Sequence, residues 1–163
     1  MANTTTVLAM AGCLALSGCA LQSRREGGVR LGVPMIRQQE AGLASARMVA
    51  RYYSVPLSPR AERLMRLASS NGGELSSEEL KAGLEASGYR VTLSSAELPE
   101  LYAHLDRGEP VIVVVGATFM LLDGYGHGHV VLLDPKRGVV RAEAGDFDRA
   151  WGGSRRLALV AVR

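Results

Sequence analysis

The sequence predicts an α+β domain in which N-terminal helices pack on an antiparallel β-sheet, and three observations carry that reading. Apolar residues recur at helical spacing from Ala41 to Tyr53, and serine-to-glutamate capping signatures follow at Ser76–Glu79 and Ser94–Glu97. Val111 to Val115 is a continuous β-branched run, the mark of a strand buried on both faces. Val130–Leu133 and Val139–Ala142 flank Asp134-Pro135-Lys136-Arg137-Gly138, whose turn chemistry folds the two runs into an antiparallel hairpin.

The chain opens on a segment that does not belong to this domain. Val7 to Leu16 is an apolar run too short to span a bilayer and is followed at once by small residues, the pattern of an export signal. Leu16-Ser17-Gly18-Cys19 resembles the bacterial lipobox, in which a small residue before the cysteine permits cleavage and the thiol carries diacylglycerol. That resemblance implies a signal peptide at 1–18, lipidation at Cys19, a tether at 19–32 and a place in the bacterial cell envelope. Ala20 rather than Asp after the lipidated position favours the outer membrane, facing the periplasm. Met1 to Thr6 holds no Lys or Arg, so only the terminal amine orients the leader, and a plain secretion signal is the alternative. Both cysteines, Cys13 and Cys19, lie in this segment, which leaves neither a disulfide nor a Cys-based metal site for the mature domain.

The elements follow in order. Leu21 to Arg30 is polar and Gly-containing and suits a flexible tether, so folding is expected to begin near Val33 and the domain to span 33–163. Leu43, Ala46, Val49, Ala50 and Tyr53 give the first helix one buried face. Ser58-Pro59 supplies an N-cap and a first-turn proline for a second helix ending near Ser70, where Asn71-Gly72-Gly73 breaks it. Ser76 and Glu79 cap a third helix that stops at Gly88. Tyr89 to Leu93 reads as a strand, and Ser94–Glu97 caps a fourth helix to Asp106, closed by Gly108. After the β-branched strand and the hairpin come a short helix, Asp146 to Trp151, and a last strand, Leu157 to Val162.

Of the 163 residues about 145 would remain after the leader, enough for one core and one domain. The composition is 47% hydrophobic, 21% charged and 5% aromatic, so the core must be built mainly from Leu, Val and Ala. The net charge of +3 is spread along the chain among acidic residues. Neither basic doublet, Arg24-Arg25 or Arg155-Arg156, sits beside an aromatic stacking platform, and both are read as solvated surface rather than as a nucleic-acid site. The first doublet could also hold a tethered protein near anionic headgroups.

Three segments in this order resemble the bacteriocin-processing, or double-glycine, cysteine peptidase family and its exported papain-like relatives. The first runs from Val33-Pro34-Met35-Ile36-Arg37-Gln38-Gln39-Glu40 into Gly42-Leu43-Ala44-Ser45-Ala46-Arg47-Met48-Val49-Ala50-Arg51-Tyr52-Tyr53. It is similar to the family stretch that ends in Cys-Gly and enters a Met-containing helix with a terminal Tyr-Tyr. The second, Gly108-Glu109-Pro110-Val111-Ile112-Val113-Val114, is similar to the family's Gly-x-Pro-Val strand. The third, Gly126-His127-Gly128-His129-Val130-Val131-Leu132, resembles the place where the family sets its histidine at the start of a Val-rich strand. Val139 to Glu143 and Phe147 to Trp151 are similar to a following strand, acidic residue and Phe-x-x-x-Trp helix. The resemblance implies a papain-like fold, a peptide or envelope-protein partner, and no cofactor.

It also implies what the site should contain. A papain-type cysteine sits at a helix N-terminus because the dipole and a neighbouring imidazolium stabilise its thiolate. Ala41 stands at that position, and a methyl group cannot attack a carbonyl. The family's oxyanion glutamine lies some six residues ahead of the cysteine, whereas Gln38 and Gln39 lie three and two residues before Ala41, as if the loop were shortened. The base falls on His127 or His129, which share strand parity, and Glu143 matches the residue that orients the imidazole. These residues should converge on Ala41. The competing readings are a merely polar His-Gly-His at a strand entrance, or a metal pair for which no third ligand is evident. Asp134 is the alternative to Glu143 but is read first as a turn residue, His104 as helix surface, Trp151 as a core anchor, and Ser45 as too far along the helix to replace the thiol. The expectation is therefore a lipoprotein that binds a peptide or partner without cutting it. An active peptidase and a purely structural envelope lipoprotein are the alternatives.

Overall fold

A computed structural model describes residues 28–70 and 74–163. The signal, Cys13, Cys19, Arg24-Arg25 and the Asn71-Gly72-Gly73 breaker lie outside the described residues. The elements are β1 (Gly28–Arg30), α1 (Ala41–Tyr52), α2 (Pro59–Ser70), α3 (Ser77–Glu85), β2 (Arg90–Ser95), α4 (Leu98–Asp106), β3 (Val111–Val115), β4 (Thr118–Gly126), β5 (His129–Asp134), β6 (Gly138–Glu143), α5 (Ala144–Gly152) and β7 (Leu157–Val162). The described strands form one sheet in the order β2-β7-β3-β4-β5-β6, with β1 paired to β4 and every pairing antiparallel. Among the described residues, no helix is long and apolar enough to cross a membrane.

Alternation along the central strands builds two cores. Ile112, Phe119, Leu121, Leu133 and Leu159 face α1, α2 and α3, where they meet Leu43, Met48, Met65, Leu80 and Leu84. Val111, Val113, Met120, Leu122 and Val160 face α4 and α5, where they meet Leu101, Leu105, Phe147 and Trp151. Helices thus cover both faces of the sheet. Val111, Ile112 and Val113 have no exposed surface, as a strand covered on both faces requires. Trp151 is equally buried, stacks on Phe147 and donates its Nε1 hydrogen to the Leu157 carbonyl at 2.9 Å.

Two elements differ from the sequence expectation. Ordered structure begins before Val33, because Gly28–Arg30 pairs with Gly126–Gly124 of β4. A three-residue strand carries no period-2 signal of its own. It is fixed by tertiary contacts: Asp123, buried in β4, accepts Arg30 Nε and Val33 N, each at 2.7 Å, while its carbonyl accepts Leu31 N at 2.7 Å. A Cβ on Gly124 would stand 2.4 Å from the Val29 carbonyl, so the close approach of β1 requires glycine there. The second difference is β4, which the sequence reading left unassigned.

The caps divide as well. Ser76 accepts Glu79 N at 3.2 Å and Glu79 reaches back to Ser76 N at 2.8 Å, so the predicted capping box forms. Ser94 does not cap: it pairs with Ala158 inside β2, and Glu97 takes the N-cap of α4, with Glu100 completing the box. Arg156 is also more than solvated surface, since it bonds Glu97 at 2.7 Å and Asp148 at 3.0 Å.

Candidate functional site

The amino end of α1 is where the fold would place a dipole-activated nucleophile. Ala41 is its first residue and is buried at 3% exposure, with Glu40 as N-cap. The neighbours of this end are set by three contacts. Gln38 N donates to the Pro135 carbonyl at 3.0 Å, tying the approach segment to the end of β5. A Cβ on Gly42 would lie 3.1 Å from Leu75 and 3.3 Å from the Phe119 ring at the start of β4. Lys136 Nζ reaches Glu74 at 2.9 Å, closing the side toward the α2–α3 connection. A cavity of about 180 Å³ opens there between Gln39–Gly42 on one side and Ser69, Glu74 and Leu75 on the other.

The chemistry-bearing groups of this end are committed to structure. Gln38 Oε1 accepts Arg47 Nη1 at 2.8 Å and its amide nitrogen donates to the Glu40 carboxylate, so the side chain is tied into an Arg47–Glu40 network. Gln39 is exposed at the cavity mouth. Arg47 continues the chain to Glu62 at 3.0 and 3.1 Å, and that paired hydrogen bond raises the Arg47 pKa and lowers that of Glu62. Ser45 is fully buried, and among the described residues its hydroxyl has no hydrogen-bond partner, so it is neither helix surface nor back-bonded, and substrate cannot reach it.

Asp134 is the acid that the sheet delivers to this end. It is 1% exposed and accepts Lys136 N at 2.8 Å, Arg137 N at 3.2 Å and Arg137 Nε at 2.8 Å. Burial acts to raise its pKa, but the three donations and the Arg137 charge together hold it below the ordinary carboxyl value. This is the turn role expected of it.

Neither histidine comes to Ala41. His127 is not a strand residue: it sits in the β4–β5 turn at φ 51, so the shared-parity argument fails for it. His129 opens β5, and its Nδ1 donates to the His127 carbonyl at 2.8 Å. His129 and Glu143 are register partners across β5 and β6, so these two expected site residues do lie side by side. They stand at the wrong end of the hairpin, because β5 runs from His129 to Asp134, roughly 17 Å of extended chain, and only the Asp134 end meets α1. The strand that begins beside the helix is β4, whose first residues are Thr118 and Phe119. The missed signal is the apolar run Phe119-Met120-Leu121-Leu122 shortly after β3, which makes β4, not β5, the strand starting beside the amino end of α1.

The sequence matches the model of the Peptidase C39 family over residues 33–160. The chain belongs to that family. No curated protein matches it by sequence. Among solved structures, the C39 fold of this chain is similar to a double-glycine motif protease from an AMS/PCAT transporter, determined in complex with its leader peptide. The TM-score is 0.66 and the identity 24%, over 81% of this chain and 92% of that one. It is similar to the peptidase domain of Streptococcus ComA, with TM-score 0.66 and 19% identity over 80% and 98% of the two chains. A C39-like peptidase from Bacillus anthracis gives TM-score 0.66 and 14% identity over 85% and 98%. The C39 fold therefore holds, although His127 and His129 do not face Ala41. Helices packed on the antiparallel sheet are the papain-like arrangement that the resemblance implied.

Proposed function

We propose that this C39 domain binds a peptide or envelope partner without cleaving it, in an exported chain anchored through lipid on Cys19. The carrying observation is the composition of the α1 amino end. Ala41 stands where a thiolate is needed, and the strand ends beside it supply Thr118, Phe119 and Asp134 but no imidazole. Without a nucleophile and a base within hydrogen-bond reach of each other, acyl transfer has no first step. Gln38 is engaged by Arg47 and Glu40, and Gln39 is exposed at the cavity mouth, so neither is fixed as an oxyanion donor. A peptide partner is supported by the leader peptide bound to the double-glycine protease of similar fold.

Incubation of the purified protein with Gly-Gly leader peptides and with casein is the test. No turnover is expected, and hydrolysis that co-purifies with the wild-type chain would overturn the reading. Peptide-dependent hydrogen-exchange protection is expected at Ala41–Ser45 and Thr118–Phe119. Absence of protection with every peptide would leave a structural lipoprotein instead. Ala41→Cys alone should stay inactive, because neither base nor oxyanion donor is in place. Mass spectrometry of the mature N-terminus should find a diacylglyceryl group on Cys19, and an unmodified N-terminus would mean plain secretion.

A further inference from the structure

A second cavity, of about 550 Å³, runs along the side of α1 and shares no lining residue with the one at Ala41. Its floor is Ile36, Ala50, Val55 and Leu57, the outer surface of the core beneath α1. Its polar groups are few. Arg47 and Glu62 neutralise one another at the inner end through two hydrogen bonds, and Gln38 pins the guanidinium from the other side. Arg51, one turn further along α1, lines the same cavity, and among the described residues its guanidinium has no hydrogen bond or ion pair. Ser54 lines it too and is held at φ 55, a left-handed conformation that costs a non-glycine residue about 1 kcal/mol. Arg51, Ser54 and Pro56 are solvent-exposed, so this is an open groove, and its volume, apolar floor and few polar groups fall in the range of small-ligand sites. The sign of its single uncompensated charge selects an anion, and guanidinium geometry favours a carboxylate.

We propose that this cavity binds a carboxylate carried on a short apolar chain, with the anion on Arg51 and the chain on the Ile36–Ala50–Leu57 floor. The proposal is independent of whether the Ala41 end cleaves or binds peptides. Two sources offer that chemistry, a fatty acid and the free C-terminus of a hydrophobic peptide. Calorimetric titration of the mature protein with octanoate, octanol, acetyl-Ala-Ala-Leu and its C-terminal amide separates them.

At least one of the two acids is expected to bind saturably, with its neutral analogue at least about tenfold weaker. Octanoate alone would name a fatty acid, the peptide acid alone a C-terminus, and both the shared chemistry. Arg51→Gln should weaken the acid by about tenfold at unchanged melting temperature, with partial recovery in Arg51→Lys. The site is refuted if neither acid saturates, if octanol or the amide binds as well as its acid, or if Arg51→Gln leaves the affinity unaltered.

Discussion

The two ends of the β4–β5 hairpin make opposite use of similar residues. At the α1 end, Asp134 is buried, accepts three hydrogen bonds and borders Pro135, which receives Gln38 N. At the far end, His127 is exposed in a turn and His129 is only half-buried at the mouth of β5. The histidines thus lie away from the amino end of α1 and beside that of α5, where Glu143 is the N-cap and Ala144 N donates to the Gly128 carbonyl at 2.8 Å. The α1 end carries groups spent on holding the chain together. A histidine at the start of a Val-rich strand is a site residue only when that strand begins beside the nucleophile.

The largest effect that tests this contrast is Phe119→Ala. Phe119 is buried in the core against Gly42 of α1, and its loss should destabilise the fold by about 3–5 kcal/mol in chemical denaturation. A cost under about 1 kcal/mol would mean that the α1 end is not the structural anchor described. Next comes Asp134→Ala, which takes the acceptor from the Lys136 and Arg137 backbone donors while the exposed Arg137 side chain returns to water, and should cost about 2 kcal/mol.

The same carboxylate predicts a pH response. Its folded pKa lies below the unfolded value, so its contribution is fully present above the unfolded carboxyl pKa, about 4. It is lost as pH falls through the folded pKa. Asp134→Asn should therefore flatten the acid limb of a stability-versus-pH curve below about pH 4, while leaving its slope near neutrality alone. An unchanged acid limb would contradict the assignment. At the far end, His129→Ala should stay within about 0.5 kcal/mol of wild type. His127→Gly should stabilise by up to about 1 kcal/mol, because glycine adopts the left-handed turn without strain. A large loss from either histidine change would place structural or functional weight where none is assigned.

Local chemistry made much of the fold legible. The helical spacing of α1, the Ser76–Glu79 box, the β-branched β3 and the turn residues before Gly138 each act over a few neighbours, and each appears in the structure. Ser94–Glu97 misled because two serines ahead of a glutamate satisfy the capping pattern equally well as the end of a strand. Pairing with β7 decided between them. Nor does Phe119–Leu122 alternate, because both faces of β4 are covered, and without that strand the His-Gly-His segment took its place beside α1.

The sequence by itself determined the class of fold, the capped start of α3, and the alanine at the head of α1. Those depend on bonds between residues a few positions apart and on the identity of a single side chain. Only the tertiary structure decided that β1 joins the sheet, which helices cover which of its faces, and that Asp134 rather than His129 meets the amino end of α1. Each of these rests on contacts between segments tens of residues apart, where register and strand order are set by packing that no local pattern encodes.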